Sequence, residues 1–127
     1  MKRAFLYKIG LILLQVFLII SCEPGTQYNY FITNKCDKNI QVLITDKSDD
    51  KIEVEVESYS EKLVYLGKGL GHVFDSYVEM VFKEIIITKE DDISKINYLN
   101  KNLWRFEPTS KVNANVYLTV NPEDFEK

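Results

Sequence analysis

The stretch Lys51-Ile52-Glu53-Val54-Glu55-Val56-Glu57 alternates without a break between charged and branched aliphatic side chains. A side-chain period of two sends Ile52, Val54 and Val56 to one face of a strand and the three glutamates to the other; a helix of 3.6 residues per turn would scatter both sets. One face fits a core and the other fits water. The closing stretch repeats the pattern: Val112, Ala114, Val116, Leu118 and Val120 alternate with Asn113, Asn115, Tyr117 and Thr119.

Outward from these two, shorter alternating runs fill the chain from residue 28. Tyr28, Tyr30 and Ile32 share one face of Tyr28–Thr33, and Phe31 takes the other. Ile40–Thr45, Leu63–Leu66, Glu84–Lys89 and Leu103–Glu107 add further strands, the last ended by Pro108. The β-branched run Ile85-Ile86-Ile87 is expected to be central and buried on both faces. Asn34–Asn39 and Asp46–Asp50 are polar turns, and Gly67, Gly69 and Gly71 read as turn residues of a flexible loop. Val73–Lys83 fits an extended segment containing a short helical turn. Seven short strands with no long helical pattern predict an all-β fold, an antiparallel β-sandwich of immunoglobulin-like or transthyretin-like type, with a small closed barrel as the competitor.

Composition agrees with one domain. The 127 residues are 46% hydrophobic and 28% charged, which is globular usage with room for a single core. A net charge of −3 speaks against a nucleic-acid partner. Two cysteines and one histidine leave little material for a metal site of soft ligands, and no cofactor motif is present.

The first 21 residues are built differently. Lys2, Arg3 and Lys8 carry positive charge with no acid among them, and Ile9–Ile20 is hydrocarbon broken only at Gly10 and Gln15. Ser21-Cys22 follows. A basic head, an apolar run and a small residue before a cut are the parts of a secretory signal. A spanning helix needs about 20 apolar residues, more than the clean run supplies. The tetrad Ile19-Ile20-Ser21-Cys22 resembles the bacterial lipoprotein box, in which the cysteine sulfur takes a diacylglyceryl group as a thioether and the freed amino group is acylated. The expected organisation is therefore a signal at 1–21, a tether at 22–27 and a single domain at 28–127. Removing Lys2, Arg3 and Lys8 leaves 13 basic residues against 19 acidic, a net charge of −6. Acyl chains on Cys22, not a basic patch, would then hold the protein on the membrane.

Candidate sites in the mature chain are few. Glu53, Glu55 and Glu57 with Asp46, Asp49 and Asp50 offer carboxylates to a cation, but the turn lacks the glycine of a calcium loop, and a solvated strand face explains them better. His72 has no nucleophile or carboxylate that sequence places beside it, so no catalytic residue is assigned. Cys36 is left without an intramolecular partner once Cys22 is acylated and reads as a free thiol. Trp104 with Arg105 and Phe106 is either a core anchor or an aromatic contact site. Tyr28, Tyr30, Tyr98 and Tyr117 are further contact candidates, with Tyr117 facing outward by alternation. Trp104, Arg105 and Tyr117 together form the candidate binding site.

The box at Ile19–Cys22, the opening Tyr30-Phe31-Ile32-Thr33-Asn34, the run Phe82-Lys83-Glu84-Ile85-Ile86-Ile87, Trp104, and Tyr117-Leu118-Thr119-Val120 before Glu123-Asp124-Phe125 give the chain a wider likeness. It resembles the small β-sandwich envelope lipoproteins of Bacteroidota. The resemblance implies a lipid-anchored cell-envelope protein, at the outer membrane, with a protein or glycan partner. Surface-exported members often carry an acidic run after the cysteine, whereas here Glu23 is followed by Pro24-Gly25-Thr26-Gln27, so the periplasmic and surface sides both stay open. The expected role is non-catalytic: a protein-interaction or assembly module, with glycan or peptide binding, or inhibition of a hydrolase through a Gly67–Gly71 loop, as alternatives.

Overall fold

The computed structural model describes residues 25–75 and 77–126; the signal segment and Cys22 lie outside them. Among the described residues there are eight strands: β1 (Gly25–Asn34), β2 (Ile40–Asp46), β3 (Lys51–Val56), β4 (Glu61–Leu70), β5 (Phe82–Lys89), β6 (Asp92–Ile93), β7 (Trp104–Pro108) and β8 (Asn113–Val120). A short helix, α1 (Tyr77–Val81), precedes β5, as the mixed pattern of that segment predicts. One sheet has the order β4-β1-β8-β7 and the other β3-β2-β5-β6. The two pack face to face as the sandwich expected from alternation.

β1 explains the arrangement of the core. Its inward positions Thr26, Tyr28, Tyr30, Ile32 and Asn34 are all buried, and the residues between them are not. Tyr30 stands at the centre, with the rings of Phe82, Trp104 and Tyr65 set edge-on to it at 4.8, 5.8 and 5.9 Å. Such edge-to-face pairs add about 0.5–1.5 kcal/mol each beyond the area they bury. Ile87, Val42 and Leu118 close the core around them.

Two polar side chains tie the sheets at opposite ends. Asn34, at the end of β1, is fully buried. Its Nδ2 donates to the carbonyl oxygens of Lys38, Val56 and Glu57 at 2.9, 3.1 and 3.2 Å. Its Oδ1 accepts from the Cys36 N–H at 2.9 Å. One amide thus joins the first sheet to the end of β3 in the second. At the other end Tyr65 of β4 donates its hydroxyl to Asp46 of β2 at 3.2 Å.

Several expectations are corrected. β1 and β8 run parallel, from Gln27↔Asn113 to Asn34↔Val120, while every other pair in the two sheets is antiparallel. The whole chain between them serves as the crossover that a parallel pair requires. β1 starts at Gly25 and so takes in residues 25–27, assigned to the tether. The flexible loop expected at Gly67–Gly71 is mostly strand: Gly67 and Gly69 hold inward positions of β4, opposite Tyr28 and Thr26. Only Gly71, at φ +86°, has the backbone of a turn glycine. The protruding inhibitory loop is therefore not there. β5 is central, but Ile86 is only half-buried, so its outer face is not a second core.

Asn34→Ala removes the side-chain partner of the buried Val56 carbonyl and Cys36 N–H and of the part-buried Lys38 and Glu57 carbonyls, and is expected to cost on the order of 3 kcal/mol in urea unfolding. Asn34→Asp should cost more than Ala, because a carboxylate would face three carbonyl oxygens. A loss below about 0.5 kcal/mol for Ala, the range of ordinary surface changes, would contradict the tie.

Candidate functional site

The outer face of the β4-β1-β8-β7 sheet carries the candidate site. The register sets Leu63, Phe31, Tyr117 and Arg105 side by side, one from each strand in order. Phe31 and Tyr117 stack at 5.1 Å with 16° between their planes. The Arg105 guanidinium lies over the Tyr117 ring, 4.6 Å from its centroid. Since β8 lies between β1 and β7, the two neighbours cover opposite faces of Tyr117. The rings stand on edge and form a ridge across the sheet.

Each member is there for a local reason. A β-bulge in the β1–β4 pairing puts Tyr30 opposite Tyr65 and Phe31 opposite Leu63, so Val64 is the extra residue. Val64 is buried while Leu63 is turned to solvent at the end of the ridge. Glu107, two residues beyond Arg105 and hence on the same face, pairs with it at 3.0 Å (Nε to Oε1). An exposed pair of this kind adds little stability, about 0–1 kcal/mol. Its effect is to hold the guanidinium over the ring, where a cation–π contact adds about 0.5–1 kcal/mol.

Polar rows flank the ridge. On one side Gln27 Nε2 donates to Asn29 Oδ1 at 2.9 Å, and Asn29 Nδ2 donates to Asn115 Oδ1 at 3.0 Å. On the other, the Thr33 hydroxyl donates to Glu61 at 2.7 Å. Beyond Leu63 a shallow apolar groove opens between the edges of β3 and β4, lined by Ile52, Val64, Tyr65 and Leu66 as well.

Of the three residues assigned to binding, Arg105 and Tyr117 meet on the outer face and Trp104 does not join them. Trp104 is buried, on the inward side of β7, and its Nε1 donates to the Tyr98 carbonyl at 2.7 Å. It is a core anchor, and an aromatic platform on it is ruled out by burial. Tyr28, Tyr30 and Tyr98 are likewise buried and unavailable for contact. Phe31 is the ridge residue that sequence reasoning did not assign, although its odd place in the β1 alternation already set it on the outer face.

The remaining candidates separate. Asp46 is spent on its own turn, accepting from the Ser48 and Asp50 N–H groups at 2.8 and 3.0 Å besides Tyr65. Asp49 pairs with Lys83 at 2.7 Å, which lowers its pKa and raises that of Lys83. Glu53 and Glu55 are exposed along β3. Among the described residues no group of three or more His, Cys, Asp or Glu side chains could hold a metal ion. His72 is exposed. Cys36 is a free thiol, buried where a turn residue was expected, and burial pushes its pKa up.

No protein-family model, curated protein or solved structure matches the chain.

Burial pushes the Tyr98 hydroxyl up to about 12, with the hydrogen bond between it and Ser94 opposing and the nearby Asp124 carboxylate reinforcing it. In the unfolded chain a tyrosine ionises near 10. Between those values the unfolded state has lost its proton and the native state has kept it, so stability falls as pH rises from 10 toward 12. Tyr98→Phe should make the urea midpoint fall less steeply over that window than in the parent. Equal slopes would contradict the assignment.

Proposed function

We propose that the protein is a non-catalytic, lipid-anchored module of the bacterial cell envelope, tethered at the outer membrane through acyl chains on Cys22, that binds another envelope protein across the Phe31–Tyr117–Arg105 ridge. The Ile19–Cys22 box supports the anchor. The geometry of the ridge supports the partner class, and it is the observation on which the reading turns.

A sugar ring stacks on a free aromatic face, and Tyr117 offers none: Phe31 covers one side and Arg105 the other. What projects is a row of ring edges and a guanidinium beside Leu63. Aromatic side chains and arginine, rigid and able to combine apolar area with a polar tip, are the residues that dominate protein interfaces. The glycan alternative rested on an exposed Trp104, which the structure buries.

A photo-crosslinking side chain at Thr119, exposed on β8 in the row next to Tyr117, tests the reading in intact envelopes. A discrete protein adduct is expected there and not from Glu53, exposed on the other sheet. Phe31→Ala and Arg105→Ala should each weaken the complex by about tenfold or more, the mark of an interface centre. Adducts no stronger at 119 than at 53, or binding indifferent to both substitutions, would overturn it.

A further inference from the structure

We infer that the Gly25 end of the sandwich rests on the lipid bilayer itself, with Leu70 and Phe74 seated among the head groups and upper acyl chains. The inference builds on acylation of Cys22, proposed above, and adds the orientation of the domain.

Chain length carries the argument. Two residues, Glu23 and Pro24, separate Cys22 from Gly25, and the three Cα-to-Cα steps reach about 10 Å when fully extended. No slack follows, because Thr26 is already buried and paired with Gly69. Whatever lies around the start of β1 is therefore held within about 10 Å of the acylated residue.

What lies there is apolar and exposed. Leu70 is the register partner of Gly25 and is 72% exposed. Gly71 turns the chain, and the following loop is pinned back against the same end: the Val73 N–H donates to the Lys111 carbonyl at 3.0 Å and the Phe74 N–H to the Tyr28 hydroxyl at 3.1 Å. Phe74 is 44% exposed in that position. Lys68 and Lys111, both exposed, border the patch with long aliphatic stems and charged tips suited to an interface. Acids share this end, among them Asp75, Asp49 and Asp50, so the contact is apolar rather than a response to anionic lipid. Exposed hydrophobic residues also occur at the opposite end, including Tyr59 and Leu103. That end is the length of the ten-residue β1 away, about 30 Å, beyond the reach of the tether.

The test uses the acylated full-length product, purified from cell membranes and reconstituted into phosphatidylcholine vesicles with brominated acyl chains. Leu70→Trp and Phe74→Trp place a reporter at the proposed contact, and Tyr59→Trp places one at the far end; the parent Trp104 signal is subtracted from each. Leu70 and Tyr59 are both exposed enough for the change to spare the core. The expected result is several-fold greater bromine quenching for the reporters at 70 and 74 than for that at 59. Equal quenching from a protein whose Cys22 carries a diacylglyceryl group by mass spectrometry overturns the orientation and leaves the anchor standing. A reporter at 70 with blue-shifted emission that bromine does not quench also overturns it, since a second copy or another protein would then cover the patch. A product whose Cys22 lacks the diacylglyceryl group overturns the anchor and this inference with it.

Discussion

The sandwich depends on a buried amide at one end and a phenol–carboxylate pair at the other, because two sheets in apolar contact alone can slide. Asn34 satisfies three carbonyl oxygens and one N–H around the end of β3, and Tyr65 reaches Asp46 across the opposite end. Apolar burial is non-directional and supplies most of the stability. These bonds are directional, and an unmet partner in low dielectric is costly, so they fix the register of one sheet on the other. Backbone bonds within the first sheet hold Asn34 in place for this, its N–H donating to the Ser60 carbonyl beside β4 and that of Lys35 to the Val120 carbonyl of β8.

From that frame the external features follow. The parallel pairing of β1 and β8 places the first and last strands at the middle of one sheet, where the neighbours on both sides bring Phe31, Tyr117 and Arg105 into one row. It also sets the start of β1 at the same end as the β7–β8 turn and the loop carrying Phe74. The proposed partner ridge lies on a sheet face and the proposed membrane contact at an end. A domain moored at that end holds its ridge out to the side, open to a neighbour in the same envelope layer.

The strands were legible because their alternation is strict where one face is core. Tyr117 was placed outward by that rule alone, and Ile52, Val54 and Val56 inward. The same rule misled where side chains were missing. Gly67 and Gly69 carry no side chain to show a pattern, so a two-residue spacing that belongs to a strand read as a loop. Trp104 was open between core and surface because Leu103, Trp104 and Phe106 put apolar side chains on both faces of the run, and sequence alone does not show which face meets Tyr30 and Phe82. The parallel register of β1 on β8 left no local trace, since it joins residues more than 80 positions apart. Neither did the meeting of Arg105 with Tyr117, which comes from pairing between strands rather than from either strand.

The claim that puts the protein on the membrane is chemical and lies at Cys22. Intact-mass and peptide spectrometry of the protein isolated from its native membranes measures it directly. The account predicts a mature chain beginning at Cys22, with a diacylglyceryl thioether on the sulfur and an acyl group on the new amino terminus. A bare sulfur at that position, or residues 1–21 still attached, would contradict it.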